Sequence, residues 1–211
     1  MVGKVFTIAQ QKGGAGKSTL AAHLAVAWSL KRKSVALIDI DPQGSLSAWY
    51  EARQETLGAD KTGLTFHSVT GWRTKNTVDS VSRDHDIVII DSPPHAETES
   101  KIAVRAADLV IVPSQPSPMD VWATKPTLEL AGKEKSSAIM VLNRVPPRAS
   151  LTARMIEQLN ALAVDVATSR IGNRVAFAES MVEGLTAQET KPKSLAAIEI
   201  RALAAELLKR A

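Results

Sequence analysis

The chain has no cysteine, which excludes disulfide staples, thiolate zinc centres and cysteine-held iron–sulfur clusters. It has one tyrosine and an aromatic content of only 4%. No run approaches the roughly 18 uninterrupted apolar residues of a membrane span, so none is expected. No secretory leader precedes the first apolar run, and these absences together predict a cytoplasmic protein. Linkers, internal repeats and low-complexity segments are also missing, so residues 1–211 are expected to form one domain. The four histidines, His23, His67, His85 and His95, share no metal-ligand spacing and read as incidental.

What is present is ordinary for a globular protein: 45% hydrophobic and 23% charged residues. The formal charge of +4 is unevenly spread. Residues 1–50 hold six Lys/Arg against two acids, residues 51–143 ten against thirteen, and residues 144–211 ten against seven. The C-terminal excess fits either a surface for an anionic polymer or scattered solvated cations.

Short apolar runs alternate with helical patterns from end to end. Strands are predicted at Val5–Ala9, Val35–Ile40, Leu64–Val69, Ile87–Ile90, Leu109–Val112 and Ile139–Leu142, with a weaker one near Val164–Ala167. Several are continuous Val/Ile/Leu stretches, as parallel strands covered on both faces require. Helices are predicted at 17–31, 45–56, 72–83, 98–107, 120–133, 150–162, 174–183 and 195–210. This alternation predicts an α/β fold, a doubly wound, mainly parallel sheet of about seven strands flanked by helices. Ligands of such sheets bind beyond the carboxyl ends of the strands.

The stretch that organises the chain is Ile8-Ala-Gln-Gln-Lys-Gly-Gly-Ala-Gly-Lys-Ser-Thr19. A strand runs into a glycine-rich turn and a helix opens at Lys17, so the loop amides and helix N-terminus form a nest for phosphate. Gly13, Gly14, Ala15, Gly16, Lys17, Ser18 and Thr19 form the candidate nucleotide loop. Lys17 would reach the β- and γ-phosphates and Ser18 would ligate Mg²⁺. Gln11 replaces the first glycine of the strict pattern, and Lys12 follows it. With that extra lysine the loop resembles the deviant Walker A box of the ParA/MinD family of nucleoside triphosphatases. In that family the early lysine crosses a dimer interface to the partner's nucleotide, which implies a catalytic role for Lys12 beside Lys17.

Other segments carry the resemblance further. Leu37-Ile-Asp39-Ile-Asp41-Pro-Gln-Gly-Ser45 sets two carboxylates at a strand end. Alone it also reads as a plain Asp-Pro turn; the resemblance to the family's switch I box implies that Asp41 positions water and Asp39 supports the metal. Asp86-Ile-Val-Ile-Ile-Asp91-Ser-Pro-Pro94 resembles a Walker B strand, which makes Asp91 a Mg²⁺ carboxylate. The proline-rich loop Val112–Asp120 reads as punctuation with Asp120 as a helix cap, and in the family it commonly lines the dimer face and the nucleotide. Asn143, followed by Arg144, stands where relatives present an Asn to adenine, although an Asn ending a strand needs no ligand. Residues 170–190 resemble a family turn and helix near the base.

The terminal helix aligns Ile200, Leu203 and Leu207 along one stripe, and packing on its own sheet is the expectation, with no membrane attachment. Trp28, Trp49, Trp72 and Trp122 are expected to pack, with Trp49-Tyr50 the pair most suggestive of a contact surface.

The resemblance implies a small partition ATPase without a helix-turn-helix region. It would bind ATP and Mg²⁺, dimerise on ATP, bind DNA non-specifically while ATP-bound on the nucleoid, and position a cargo through a ParB-like or other adaptor. Candidate DNA contacts are Arg148, Arg154, Arg170, Arg174, Lys191, Lys193 and Arg201. Two alternatives stay open: a metabolic enzyme on the same scaffold, such as a dethiobiotin-synthetase-like ligase, and a MinD-like membrane-associated regulator. Absent cysteines exclude iron–sulfur relatives, and a lone tyrosine argues against tyrosine-kinase relatives.

Overall fold

The structure, a computed structural model, describes residues 2–69, 73–94, 97–147, 150–161 and 165–211. Six strands, β1 (Lys4–Ile8), β2 (Val35–Asp39), β3 (Thr65–Ser68), β4 (Ile87–Asp91), β5 (Leu109–Ser114) and β6 (Ser137–Leu142), form one parallel sheet. Their order is β3-β2-β4-β1-β5-β6, which puts β1 in the interior between β4 and β5. Helices α1 (Lys17–Ser29), α2 (Ser45–Leu57), α3 (Arg73–Asp84), α4 (Glu97–Ala106) and α5 (Pro118–Trp122) alternate with the strands. They are followed by α6 (Lys125–Glu134), α7 (Ser150–Ala161), α8 (Val175–Met181), α9 (Ala187–Thr190) and α10 (Leu195–Arg210).

Alternation within each strand builds a core on both faces. Phe6, Ile8, Leu37, Ile89, Ile111 and Val141 face α1, α2 and α10, with Trp28 stacked on Phe6 at 4.7 Å. Their neighbours in sequence turn the other way: Val5, Ile38, Val88 and Ile90 meet Val78 and Val81 of α3. Val110 and Val112 meet Ala131 of α6, and Met140 and Leu142 meet Val121, Met155 and Leu159. Because both faces are covered, the strands read as unbroken apolar runs.

Three expectations need correction. Among the described residues the sheet has six strands rather than about seven, and Val164, where the weakest predicted strand begins, lies outside them. Val166 makes only an isolated bridge to Met140, because the amides of Thr168 and Ser169 beyond it donate to the Glu206 carboxylate instead, each at 2.8 Å. The helix predicted at 120–133 is two helices, α5 and α6. Pro126 in the first turn of α6 has no amide to donate, and its ring would crowd the carbonyl of Trp122. The short α9 was not anticipated, although Thr186 and Glu189 close a complete capping box at its start.

The terminal helix packs as expected: Ile200, Leu203 and Leu207 are buried, and the Trp28 indole donates to the Ala204 carbonyl at 3.1 Å. Among the described residues no helix is long and apolar enough to cross a membrane. Trp49 and Tyr50 pack inward. Trp49 is 3% exposed and Tyr50 stacks on Phe66 at 4.5 Å, whereas Trp122 stands 64% exposed. Trp72 and His95 lie outside the described residues.

Candidate functional site: a phosphate loop beside two strand-end carboxylates

Register brings the site together. In the parallel ladder Ile8 pairs with Asp91 and Asp39 pairs with Asp91, so the loop after β1 and both carboxylates lie at one level of the sheet. The loop then turns through Gly14 (φ 73°) and Gly16 (φ 87°) into α1. Both angles lie in the left-handed region that favours glycine. At Gly16 a Cβ would also stand 2.7 Å from the Asn143 side-chain nitrogen. Lys17 opens α1 at 7% exposure; burial pushes its ammonium down, and Asp91 and Asp41 oppose that.

Asp91 is fully buried, and neither carboxylate oxygen completes a hydrogen bond. Burial pushes it up to about 7; the Ser18 hydroxyl and Lys17 favour its charged form, while Asp39 and Asp41 disfavour it. Native buried carboxylates are paired or coordinate a metal. A hard cation fits this orphaned carboxylate, and the Ser18 hydroxyl is of the type that completes such a site.

Asp39 has a different environment. Its Oδ1 accepts from the Asp41 amide at 3.0 Å, and its Oδ2 accepts from the Ser47 amide at 2.9 Å and the Ser47 hydroxyl at 2.7 Å. It therefore holds the switch-like turn in place, which leaves Asp91 as the carboxylate with open acceptor capacity. Asp41 is half-buried, and its Oδ1 accepts from the Gln43 amide at 3.0 Å, closing the turn ahead of Gly44.

A cavity of about 290 Å³ opens beside the loop, lined by Gly16, Thr19, Asn143, Arg144, Asn173 and Phe177 among others. Its size and position suit a nucleoside. Residues between Ile171 and Ala178 form one wall of it, and it also recruits His23, which spacing alone had left incidental. His23 is buried and edge-on to Phe177 at 5.1 Å. Its Nδ1 donates to the Thr19 carbonyl at 2.9 Å, and its Nε2 accepts from the Ala187 amide at 3.2 Å. Burial pushes its pKa down to about 4. Asn143 stands at the cavity, but its Nδ2 donates to the Ala15 carbonyl at 2.8 Å and its Oδ1 accepts from the Arg144 amide at 2.9 Å. These bonds brace the phosphate loop and the left-handed Arg144 (φ 51°).

Lys12 lies ahead of the exposed glycines Gly13 and Gly14 and donates to Asp120 Oδ1 at 2.6 Å. Neither this contact nor Ser47 was legible from spacing. Of the basic residues proposed for DNA, Arg174 is paired with Glu199, Lys191 with Glu179, and Arg201 donates to the Pro192 carbonyl. Arg154, Arg170 and Lys193 are exposed, and Arg148 lies outside the described residues.

A glycine loop between an interior parallel strand and a helix, with a strand-end carboxylate beside it, defines a P-loop nucleotide-binding protein. Residues 6–187 match the CobQ/CobB/MinD/ParA nucleotide binding domain. The chain belongs to that family. It is 29% identical over 191 residues to the "Maintenance of carboxysome distribution protein A" of Halothiobacillus neapolitanus, covering 87% of each chain. The cell division ATPase MinD of Pyrococcus furiosus superposes with a TM-score of 0.81 at 20% identity, covering 99% of this chain and 100% of that one. The ATP complex of a Cyanothece McdA variant superposes with a TM-score of 0.80 at 19% identity, covering 98% and 96%.

Proposed function

We propose that this chain is a Mg²⁺-dependent ATP hydrolase that dimerises on ATP and positions a cargo by cycling on and off DNA. Support for the chemistry comes from the loop and Asp91. The loop amides and Lys17 would hold the phosphates, Ser18 and Asp91 would hold Mg²⁺, and Asp41 would orient the attacking water. Bound Mg²⁺ supplies charge neutralisation at the phosphates. Asn143 would hold the loop against the base, and its second amide N–H would be available to adenine.

The observation that carries the positioning reading is Lys12. It stands at the mouth of the phosphate loop with its side chain 41% exposed, ahead of two solvent-facing glycines. A cation placed across an interface near the transferring phosphate would make dimerisation depend on nucleotide and speed hydrolysis. A relative named for carboxysome distribution supports a large assembly as cargo, and an adaptor protein would couple it to this chain. The DNA track would use Arg154, Arg170 and Lys193, with Arg174, Lys191 and Arg201 joining only if their present contacts open.

The test is DNA retention and ATPase rate measured with ATP, ADP and no nucleotide at several salt concentrations. Retention specific to ATP is expected, falling with a log–log salt slope of about −0.9 per phosphate neutralised. Retention indifferent to nucleotide ends the DNA-track reading. A second reading, a metabolic ATP-dependent enzyme on the same scaffold, draws on the shared fold of a Mycobacterium smegmatis cobyrinic acid a,c-diamide synthase. It predicts turnover without DNA and without dimerisation.

A further inference from the structure

We propose that the end of the sheet opposite the phosphate loop, where the strands begin, is a further binding surface, on which a single copy docks a nucleic-acid backbone without nucleotide. The surface does not rest on the function proposed above; its use as a track for positioning does.

Charge is concentrated at this end. Residues 2–4, 30–34, 58–64, 83–86, 105–108, 133–136 and 208–211 enter the six strands or finish α10. Together they hold eleven Lys/Arg against five Asp/Glu, whereas the rest of the chain holds fifteen against seventeen. The net charge of +4 is therefore owed to this end alone. In sheet order the strands are entered past Lys61, Lys33, Arg83, Lys4, Arg105 and Lys135, so every strand contributes a cation. Five interstrand spacings of about 4.8 Å carry that row across about 24 Å. The same length of duplex holds about seven base pairs at 3.4 Å each.

The acids of this end are engaged, and most of its cations are not. Asp86 Oδ2 accepts from the Ser34 amide at 2.9 Å and the Ser34 hydroxyl at 3.1 Å. Asp108 Oδ2 accepts from the Val5 amide at 2.7 Å, and Glu134 accepts from Arg105 at 2.6 Å. Lys31, Arg32, Lys61, Arg83, Lys135 and Lys209 are exposed, and none of them has an ion-pair partner among the described residues.

Two of these cations stand where a helix end favours glycine. Arg32 (φ 62°) and Lys135 (φ 58°) are left-handed, and the amides that follow them donate to the Trp28 and Ala131 carbonyls at 3.2 and 3.0 Å. Glycine takes such a position without strain, and α2 does end in Gly58 (φ 89°). Cations held in strained backbone at two turns, about 19 Å apart across four interstrand spacings, point to a use for their charge.

The occupant follows from what the surface lacks. Val2 and Leu30 are exposed there, but the exposed Trp122 lies beyond the carboxyl end of β5, so the aromatic anchors of a membrane surface are missing. β1 is five residues long, which sets this end about 16 Å from the phosphate loop. Docking here therefore needs neither nucleotide nor a second copy. Two copies closing across their phosphate loops would carry two such surfaces outward, and avidity would raise retention without changing the affinity of either one.

The test uses the full chain without nucleotide and a fluorescent duplex of about 30 base pairs, followed by anisotropy between about 50 and 200 mM salt. Sequence-independent binding is expected, with a Kd of about 10⁻⁴–10⁻⁶ M at physiological salt and a log–log salt slope of about −5 for six phosphates neutralised. Arg32→Gly with Lys135→Gly removes two cations and relaxes two turns. Its slope is expected to be shallower by about 2, with stability in urea equal to or above wild type. Lys31→Gln with Lys209→Gln is a second pair expected to act alike. Lys75→Gln with Lys125→Gln removes the same charge from the first turns of α3 and α6, at the other end of the sheet, and is expected to bind near the wild-type level. No binding at the lowest salt, an unchanged slope in both cationic pairs, or an equal loss in the Lys75 and Lys125 pair overturns the surface. Polyglutamate or phosphatidylglycerol vesicles binding as tightly as the duplex overturn nucleic acid as its occupant. Retention on DNA that does not rise with Mg²⁺ and ATP overturns the proposed function instead, and the nucleotide-free arm still decides the surface.

Discussion

Replacing Asp91 with Asn is expected to stabilise the nucleotide-free protein at alkaline pH while removing its response to Mg²⁺ and ATP. The carboxyl is fully buried without a completed hydrogen bond and is pushed up from 3.8 to about 7. The folded chain therefore keeps a proton that the unfolded chain releases between those values. Stability falls as pH rises through that window, by about 1.4 kcal/mol per pH unit, and levels off above it. His23 acts in the opposite sense. Its folded value, lowered from 6.5 to about 4, means that the unfolded chain takes up its proton first as pH falls. Stability from neutral His23 is present above 6.5 and is lost as pH falls toward about 4. The two slopes oppose each other over most of the acid range, so the wild type alone is expected to show little dependence there. The informative quantity is the difference between Asp91→Asn and wild type, in which His23 cancels. Only pH 5 to about 7 contributes above pH 5, so that difference is expected to grow by about 3 kcal/mol in favour of the variant between pH 5 and pH 8. Any constant cost of burying an unpaired amide, about 1–3 kcal/mol, drops out of the change. Urea unfolding in EDTA at pH 5, 6, 7 and 8 measures it. A difference that stays constant or shrinks with pH refutes the claim that a buried, unpaired carboxylate waits for a cation. Mg²⁺ with ATP is expected to raise wild-type stability and to leave Asp91→Asn nearly unmoved.

Gly16→Ala puts a Cβ 2.7 Å from the Asn143 nitrogen on a backbone at φ 87°, so the brace to Ala15 must give way. A loss of about 1–3 kcal/mol in ATP affinity, read by calorimetry, is expected from strain of that kind. Arg53 is 4% exposed and binds Glu189 through two nitrogens, at 3.1 and 2.7 Å, and the carbonyls of Thr62 and Gly184. Arg53→Met is expected to destabilise the fold by about 3–5 kcal/mol in chemical denaturation, because one partner of a buried pair is removed. Its ATP affinity in the folded state is expected to change little.

The sheet was legible because strands covered on both faces must be apolar throughout, and stretches such as Ile87–Ile90 allow few other environments. The phosphate loop and Asp91 were legible for a related reason: a loop after an interior strand and a carboxylate at a strand end have fixed places once the ladder forms. Contacts between distant segments were not. Nothing local tells Asn143 that Ala15 lies within 2.8 Å, or Lys12 that Asp120 does so at 2.6 Å. His23 looked incidental because a lone histidine on an alanine-rich helix has no motif; its partners Thr19, Ala187 and Phe177 come from three segments. The C-terminal basic excess fitted either an open cationic surface or scattered cations, and in the structure Glu199 of α10 and Glu179 of α8 meet Arg174 and Lys191. The break before α6 was written in Pro126 and outweighed by the apolar spacing around it.

The last helix delivers more than apolar contact. Glu199 accepts from the Gly172 amide and the Arg174 guanidinium, and Glu206 accepts from the amides of Thr168 and Ser169. Glu199 thus holds one wall of the cavity beside the phosphate loop and Glu206 the segment that leads into it, so docking that helix and shaping the cavity are coupled. On the function proposed above, fraying at the edge of the molecule would loosen the grip on the base before it disturbed the phosphates, so nucleotide loss would begin at the base.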